Sequence, residues 1–282
     1  MTDFPRTMIG DVSVPRLIAG TNWFFGYSHK TRATNEIINR TMDAARIADT
    51  LEVFMKAGCD AIYGITPAPK CRDALSDVED RAGRKIIRIA IPTLRVDGTQ
   101  EAADENRATL DTYAGIGTDI LMPHQQTTDA LLDRRTRSIR DWESIGPLIR
   151  ERGMTPGLST HMPETIIYAD ETGIDVETYI QLYNSAGFLM QVEVEWIHRV
   201  IQGAKKPVIC IKPLAAGRLT PFVGLSFVWN TIRDRDMVTV GTMSPDEAAE
   251  CIEISRATLE RRTPDVDLQR TRSKSSIERG EH

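Results

Sequence analysis

Two histidines and a lysine stand where short apolar runs give way to polar residues: His124 after Leu121-Met122-Pro123, His161 after Leu158-Ser159-Thr160, and Lys212 after Val208-Ile209-Cys210-Ile211. An imidazole titrates near neutral pH and can orient a carbonyl or carry a proton. A lysine ending an apolar run is either desolvated, with a lowered pKa, or paired with an acid. The set suits acid–base work on a carbonyl, or amine chemistry through a Schiff base on Lys212. Each residue also has a plainer role: His124 can hydrogen-bond a neighbouring strand end, and Lys212 can extend its head into solvent. We expect no metal, because two histidines want a third ligand and no Asp, Glu or Cys stands at another such boundary.

The elements that would gather these residues are eight short β-rich runs, at 17–22, 61–64, 86–93, 119–125, 155–161, 179–184, 208–214 and 237–242. Several are apolar without alternation, as strands buried on both faces of a parallel sheet are. Helical periodicity fills much of the intervening chain, at 45–57, 101–114, 139–151, 192–202 and 245–261. The last of these opens on Ser244-Pro245-Asp246-Glu247, a capping residue, a first-turn proline and two acids at the positive end of the dipole. Eight strand runs alternating with helical segments, without an early GxGxxG, predict an α/β fold of the (β/α)8 TIM-barrel class over residues 1–262. The polar residues 263–282 read as a disordered tail.

In such a barrel the strand ends and the loops after them make the site. Those ends are Thr21-Asn22, Tyr63-Gly64, Pro92-Thr93, His124-Gln125, Ser159-Thr160-His161, Tyr183-Asn184, Lys212-Pro213 and Gly241-Thr242. The polar stretch 25–40, with Tyr27, His29 and Lys30 near its start, should lie over the same mouth. A small-molecule ligand is expected there.

Composition agrees with an ordinary globular protein. The chain has 282 residues, 41% hydrophobic and 27% charged, enough for a full core. A net charge of -5 gives no cationic field for nucleic acid. With no apolar run of about 18 residues and no secretory leader, neither a membrane span nor export is expected, and the location reads as cytoplasmic. Cys59, Cys71, Cys210 and Cys251 form no CxxC pair and read as buried thiols.

Several segments are similar to aldo/keto reductases. They are Ile9-Gly10 with Val14-Pro15-Arg16-Leu17-Ile18-Ala19-Gly20-Thr21, Asp119-Ile120-Leu121-Met122-Pro123-His124, Gly157-Leu158-Ser159-Thr160-His161, and Gln181-Leu182-Tyr183-Asn184. Lys212-Pro213-Leu214-Ala215-Ala216-Gly217-Arg218-Leu219 and Val240-Gly241-Thr242-Met243-Ser244-Pro245 complete the series, in the family's order over 9–261. The resemblance implies a (β/α)8 barrel reducing carbonyls with NADP or NAD. It also implies a tetrad: a Tyr acid, a Lys that lowers its pKa, an Asp paired with the Lys, and a His that orients the carbonyl. Here Tyr63 falls at the Asp position, Ala68 near the Tyr, and the third run ends Ile91-Pro92-Thr93 without a Lys. Only His124 is kept.

On the cofactor side, the resemblance puts Ser159 and Gln181 near the nicotinamide amide, Arg218 near a phosphate, and Gly241-Thr242 at the eighth strand end. Asp246 and Glu247 stand where a cation for a 2′-phosphate is often found. Three functions follow. The first is a divergent carbonyl oxidoreductase with His124 orienting the carbonyl, and with Tyr27, His29 or Tyr63 as acid. The second is a lyase or isomerase using Lys212 with His124 and His161. The third is a binding barrel without catalysis.

Overall fold

The computed structural model describes residues 3–268 together with Ser273, Lys274 and Ile277, and each expected run holds a strand of one parallel sheet. The strands are β1 (Leu17–Gly20), β2 (Ala61–Ile65), β3 (Ile87–Ala90), β4 (Ile120–Leu121), β5 (Thr155–Pro156 and Leu158–Ser159), β6 (Tyr179–Leu182), β7 (Val208–Ile211) and β8 (Met237–Gly241). They pair in chain order and β8 returns to β1. Closure happens within β5: Thr155 and Pro156 pair with β4, while Leu158 and Ser159 pair with β6. Gly157 makes that transfer. A Cβ there would lie 2.7 Å from Met122 Cγ and 2.8 Å from Thr178 Cγ2, so a side chain would force the two flanking strands apart.

Alternation along each strand divides the core into two shells. Ile18, Ile89, Ile120, Ile180, Ile209 and Met237 fill the lumen, and Leu17, Leu121, Tyr179, Cys210 and Val238 face the outer layer under the helices. An antiparallel hairpin, Arg6–Ile9 with Val12–Pro15, which the sequence reading did not foresee, adds Ile9 and Val14 to the lumen shell and plugs its lower end.

The helices are α1 (Arg32–Thr41), α2 (Ala44–Lys56), α3 (Pro69–Ala82), α4 (Gln100–Gly115), α5 (Gln125–Leu131), α6 (Gly146–Glu151), α7 (Glu164–Thr172), α8 (Val194–Gly203), α9 (Pro221–Thr231) and α10 (Pro245–Leu259). Ser244 caps α10, accepting from the Glu247 N–H at 3.2 Å, and the Glu247 carboxylate accepts from the Met243 N–H at 2.7 Å. The expected helix 139–151 is shortened. Ser138–Ile139 pairs with Leu132–Asp133, Trp142–Ser144 forms one 3₁₀ turn, and α6 starts only at Gly146. Gly146 followed by Pro147 starts a new helix more readily than it continues one.

Several strands are also shorter than their runs. β3 stops at Ala90, two residues before Pro92, and Gln125 already belongs to α5. Of the polar tail, 263–268 are described: the Asp265 N–H donates to Glu253 at 2.8 Å and Val266 packs on the core. The rest of that stretch, apart from Ser273, Lys274 and Ile277, lies outside the described residues. No described helix is long and apolar enough to cross a membrane.

Candidate active site

The strand ends open into a cavity of about 890 Å³, whose walls include Tyr27, Tyr63, His124, Ser159, His161, Lys212, Arg218, Gly241 and Thr242. With His29, which also lines it, ten of the eleven candidate residues named from the sequence therefore share one space. Gln181 does not reach it. On β6, Ile180 and Leu182 belong to the lumen shell and Tyr179 and Tyr183 to the outer one, so Gln181 turns away from the mouth. Its amide is fully buried with neither polar atom hydrogen-bonded. A shift of one residue along a strand exchanges the two faces, and that parity leaves Gln181 outside the lining of the mouth, where a cofactor contact was expected.

Each remaining group is placed by its own strand. His124 is the N-cap of α5, its Nδ1 accepting from the Gln126 N–H at 3.3 Å. That cap fixes the proton on Nε2, the nitrogen free to donate to a ligand. His161 follows Thr160, whose hydroxyl donates to Asp129 at 2.5 Å, and the His161 N–H donates to the same carboxylate at 3.4 Å. Asp129 of α5 thus anchors the end of β5, a role nothing in the sequence pattern marked. Tyr63 faces inward from β2 beside Ser159, and burial pushes its phenol well above the usual range. Tyr27 stands on the rim, 64% exposed.

Lys212 occupies the centre. It leaves β7 in a left-handed conformation, φ 59°, and its Nζ lies 3.0 Å from His29 Nε2. Desolvation lowers its pKa from the ordinary 10.5 to about 8. Desolvation and then the Lys212 charge hold His29 and His161 down to about 4, and the same two causes lower His124. All three imidazoles are therefore neutral at pH 7, so Lys212 is the cation at the heart of the site.

Two further cations rim the mouth. Lys30 lies over the Trp23 ring at 5.1 Å, and Arg218 over Phe188 at 4.0 Å while donating to the Ala215 carbonyl at 3.0 Å. Among the described residues no carboxylate forms an ion pair with Lys30, Lys212 or Arg218. Acids are confined to the α10 wall, where Glu247 and Glu250 line the cavity. Three histidines line the cavity, yet among the described residues no group of three His, Cys, Asp or Glu has metal-holding geometry.

No family model matches the chain, and no match is found among curated proteins. Solved structures do resemble it. A Pseudomonas aeruginosa protein assigned to the aldo-keto reductases superposes with a TM-score of 0.65 at 16% identity, covering 91% of this chain and 97% of its own. The glycerol dehydrogenase of Gluconobacter oxydans gives 0.57 at 13% identity, covering 95% and 99%. The orotidine 5′-monophosphate decarboxylase of Methanocaldococcus jannaschii gives 0.53 at 13% identity, covering 86% and 98%. At these identities the likeness establishes the (β/α)8 barrel that these enzymes share, and not a family or a reaction.

A dinucleotide is a fair test of the outer half of this cavity. Thr239 Oγ1 and Thr242 Oγ1 are buried without a hydrogen-bond partner, and both residues line the wall. Buried hydroxyls left unanswered by protein are what a polar ligand would satisfy. With Arg218 at the β7–α9 turn and Ser159 inside, the residues present fit a nucleotide with an anionic link.

Proposed function

We propose that this chain is a divergent carbonyl oxidoreductase in which Lys212 replaces the missing tyrosine as the acid of the site. The observation that carries this reading is the position of Lys212: a cation without a counter-charge in the middle of the mouth, with a pKa lowered to about 8. An ammonium of that acidity gives up a proton at neutral pH more readily than a phenol near 10. The Lys212 Nζ–H would donate to the carbonyl oxygen, and the His124 Nε2–H would hold that oxygen from the opposite strand. A nicotinamide, when bound, supplies the hydride that the carbonyl carbon accepts. Ser159, Arg218, Gly241 and Thr242 would hold the nucleotide. Glu247 and Glu250 disfavour an added 2′-phosphate, so NAD is the better match than NADP.

Fluorescence titration with NADH and NADPH tests the cofactor, with tighter NADH binding expected. Turnover of a panel of small aldehydes and ketones tests the acid. Lys212→Met should lower kcat/KM by about 10² or more while leaving nucleotide affinity in place. Absence of binding by either nucleotide would sink the proposal.

A second reading draws on the same unpaired lysine. The small free-amine fraction of Lys212 at neutral pH would attack a carbonyl and lose water to give an imine, as a lyase or isomerase requires. Borohydride trapping of a carbonyl compound on Lys212, without nucleotide, separates it from the first.

A further inference from the structure

We propose that His29 is a positioning residue for Lys212: the segment between β1 and α1 is built to bring one imidazole acceptor onto the lysine ammonium and aim it into the barrel. The proposal rests on Lys212 as the acid of the site only for its catalytic consequence, and its test uses no turnover.

The geometry is specific. His29 Nε2 is 3.0 Å from Lys212 Nζ and 3.2 Å from the Asn22 side-chain nitrogen. An ammonium and an amide NH2 have only hydrogens to offer, so the single lone pair of Nε2 accepts, most closely from Lys212, and the ring proton sits on Nδ1. Asn22 lies just past the end of β1 and Lys212 just past β7, so one imidazole ties two strand ends together.

The chain adopts costly local structure to hold it there. His29 has φ 55° and Lys212 φ 59°, and each left-handed non-glycine residue costs about 1–2 kcal/mol. The preceding Ser28 is fully buried, and its N–H and hydroxyl both donate to Asn35 Oδ1 of α1, at 3.0 and 2.5 Å. Gly26, at φ 78°, has no room for a Cβ beside the Asn39 amide. Strain at a site with this much support around it marks a position selected for what it does.

The groups facing this pair from the other elements are basic or neutral. They are His124 from β4, His161 from β5, Arg218 from the β7–α9 turn, Lys30 beside Gly217, and the buried Tyr63 hydroxyl of β2. Glu247 and Glu250 stand on the α10 wall of the same cavity, and neither forms an ion pair with Lys212 among the described residues. Among the described residues, the hydrogen bond of the Lys212 ammonium is to His29 Nε2, and an acceptor at that distance favours the charged form.

Pulse acetylation of Lys212 with acetic anhydride, mapped by peptide mass across pH, reads its titration directly. Wild type should reach half-reaction near pH 8. His29→Leu should move that midpoint down by about one pH unit, and His29→Asn, which keeps an acceptor, should stay with wild type. An unmoved midpoint in His29→Leu, or an equal fall in His29→Asn, overturns the proposal. Should the leucine variant not fold, imidazole nitrogen shifts of the wild type decide alone. The Nδ1–H tautomer, neutral down to a pH of about 4, supports the pairing; an Nε2–H tautomer or an ordinary titration near 6.5 refutes it.

Discussion

At the lower end of the barrel, Asp236 is fully buried and every acceptor it has is used: Arg233 donates through Nε at 2.8 Å and Nη2 at 2.6 Å, and the N–H groups of Val208 and Arg233 donate at 2.9 and 3.0 Å. Arg16 beside it donates to the carbonyls of Asp236 and Arg233, each at 2.9 Å. At the mouth, Lys212, Lys30 and Arg218 rest on an imidazole and two aromatic faces, with no carboxylate. One end has answered its charges and the other has left them for something else. Within a single sheet, that difference separates charged groups that are paired and hold the barrel shut from charged groups at the mouth that no carboxylate pairs among the described residues.

The comparison breaks most easily at the closed end. Asp236→Ala would strip the part-buried Arg233 guanidinium of its counter-charge, leaving it only the Ala204 and Lys206 carbonyls, and would leave the Val208 and Arg233 N–H groups without their carboxylate acceptor; removing one partner of a buried pair costs about 3–5 kcal/mol. Urea unfolding should show that loss as a fall in midpoint with an unchanged slope. A loss under about 1 kcal/mol would mean that the lower end is no more committed to stability than the mouth.

Far more of this architecture than of its chemistry was legible beforehand. The eight strands showed because a parallel barrel buries both faces, so Val208-Ile209-Cys210-Ile211 reads as a block whatever its neighbours are. Strand ends then located His124, His161 and Lys212 without knowledge of side-chain direction. Gln181 lies outside the cavity lining through direction alone, since one residue of register exchanges lumen for outer shell and the sequence carries no mark of parity at an all-buried strand. The fully buried run Tyr179–Leu182 is such a strand. Thr239 was missed for the mirror reason: it shares the inward parity of Met237, inside a strand, where only ends were searched. His29 stood out only as one of three candidate acids, because its pairing with Lys212 is made across 183 residues of chain.

Lys212 sharpens the comparison from the other side. Its folded pKa, about 8, lies below the 10.5 of the free side chain, so folding disfavours its charged form. The penalty is complete below pH 8. Between pH 8 and 10.5 the unfolded chain holds a proton that the folded one has released, and stability contributed by this residue rises with pH until the penalty is gone. Lys212→Met should therefore be no less stable than wild type at pH 7, by a margin on the order of 1–2 kcal/mol once solvent at the open mouth is allowed for. Thermal melts at pH 7 and pH 10 should show the margin shrinking. A variant less stable than wild type at pH 7 would show that the lysine is a structural group after all.

The smallest effect separates two kinds of orphan. Thr239 and Thr242 have buried hydroxyls without partners on the cavity wall, while Gln181 has an equally unanswered amide in the outer shell. Replacing an unsatisfied buried polar group by an apolar one of similar shape is neutral or stabilising, so Thr242→Val and Gln181→Leu should each move stability by about 0.5–1 kcal/mol, upward. They should part company in nucleotide titrations. Thr242→Val weakens binding because its hydroxyl is then absent from the ligand's side, and Gln181→Leu leaves binding as it was, since the wall of the mouth cavity does not include it. Equal weakening by both would mean that the two shells are coupled through β6 and β8, and that an unanswered polar group in this barrel does not by itself mark the mouth.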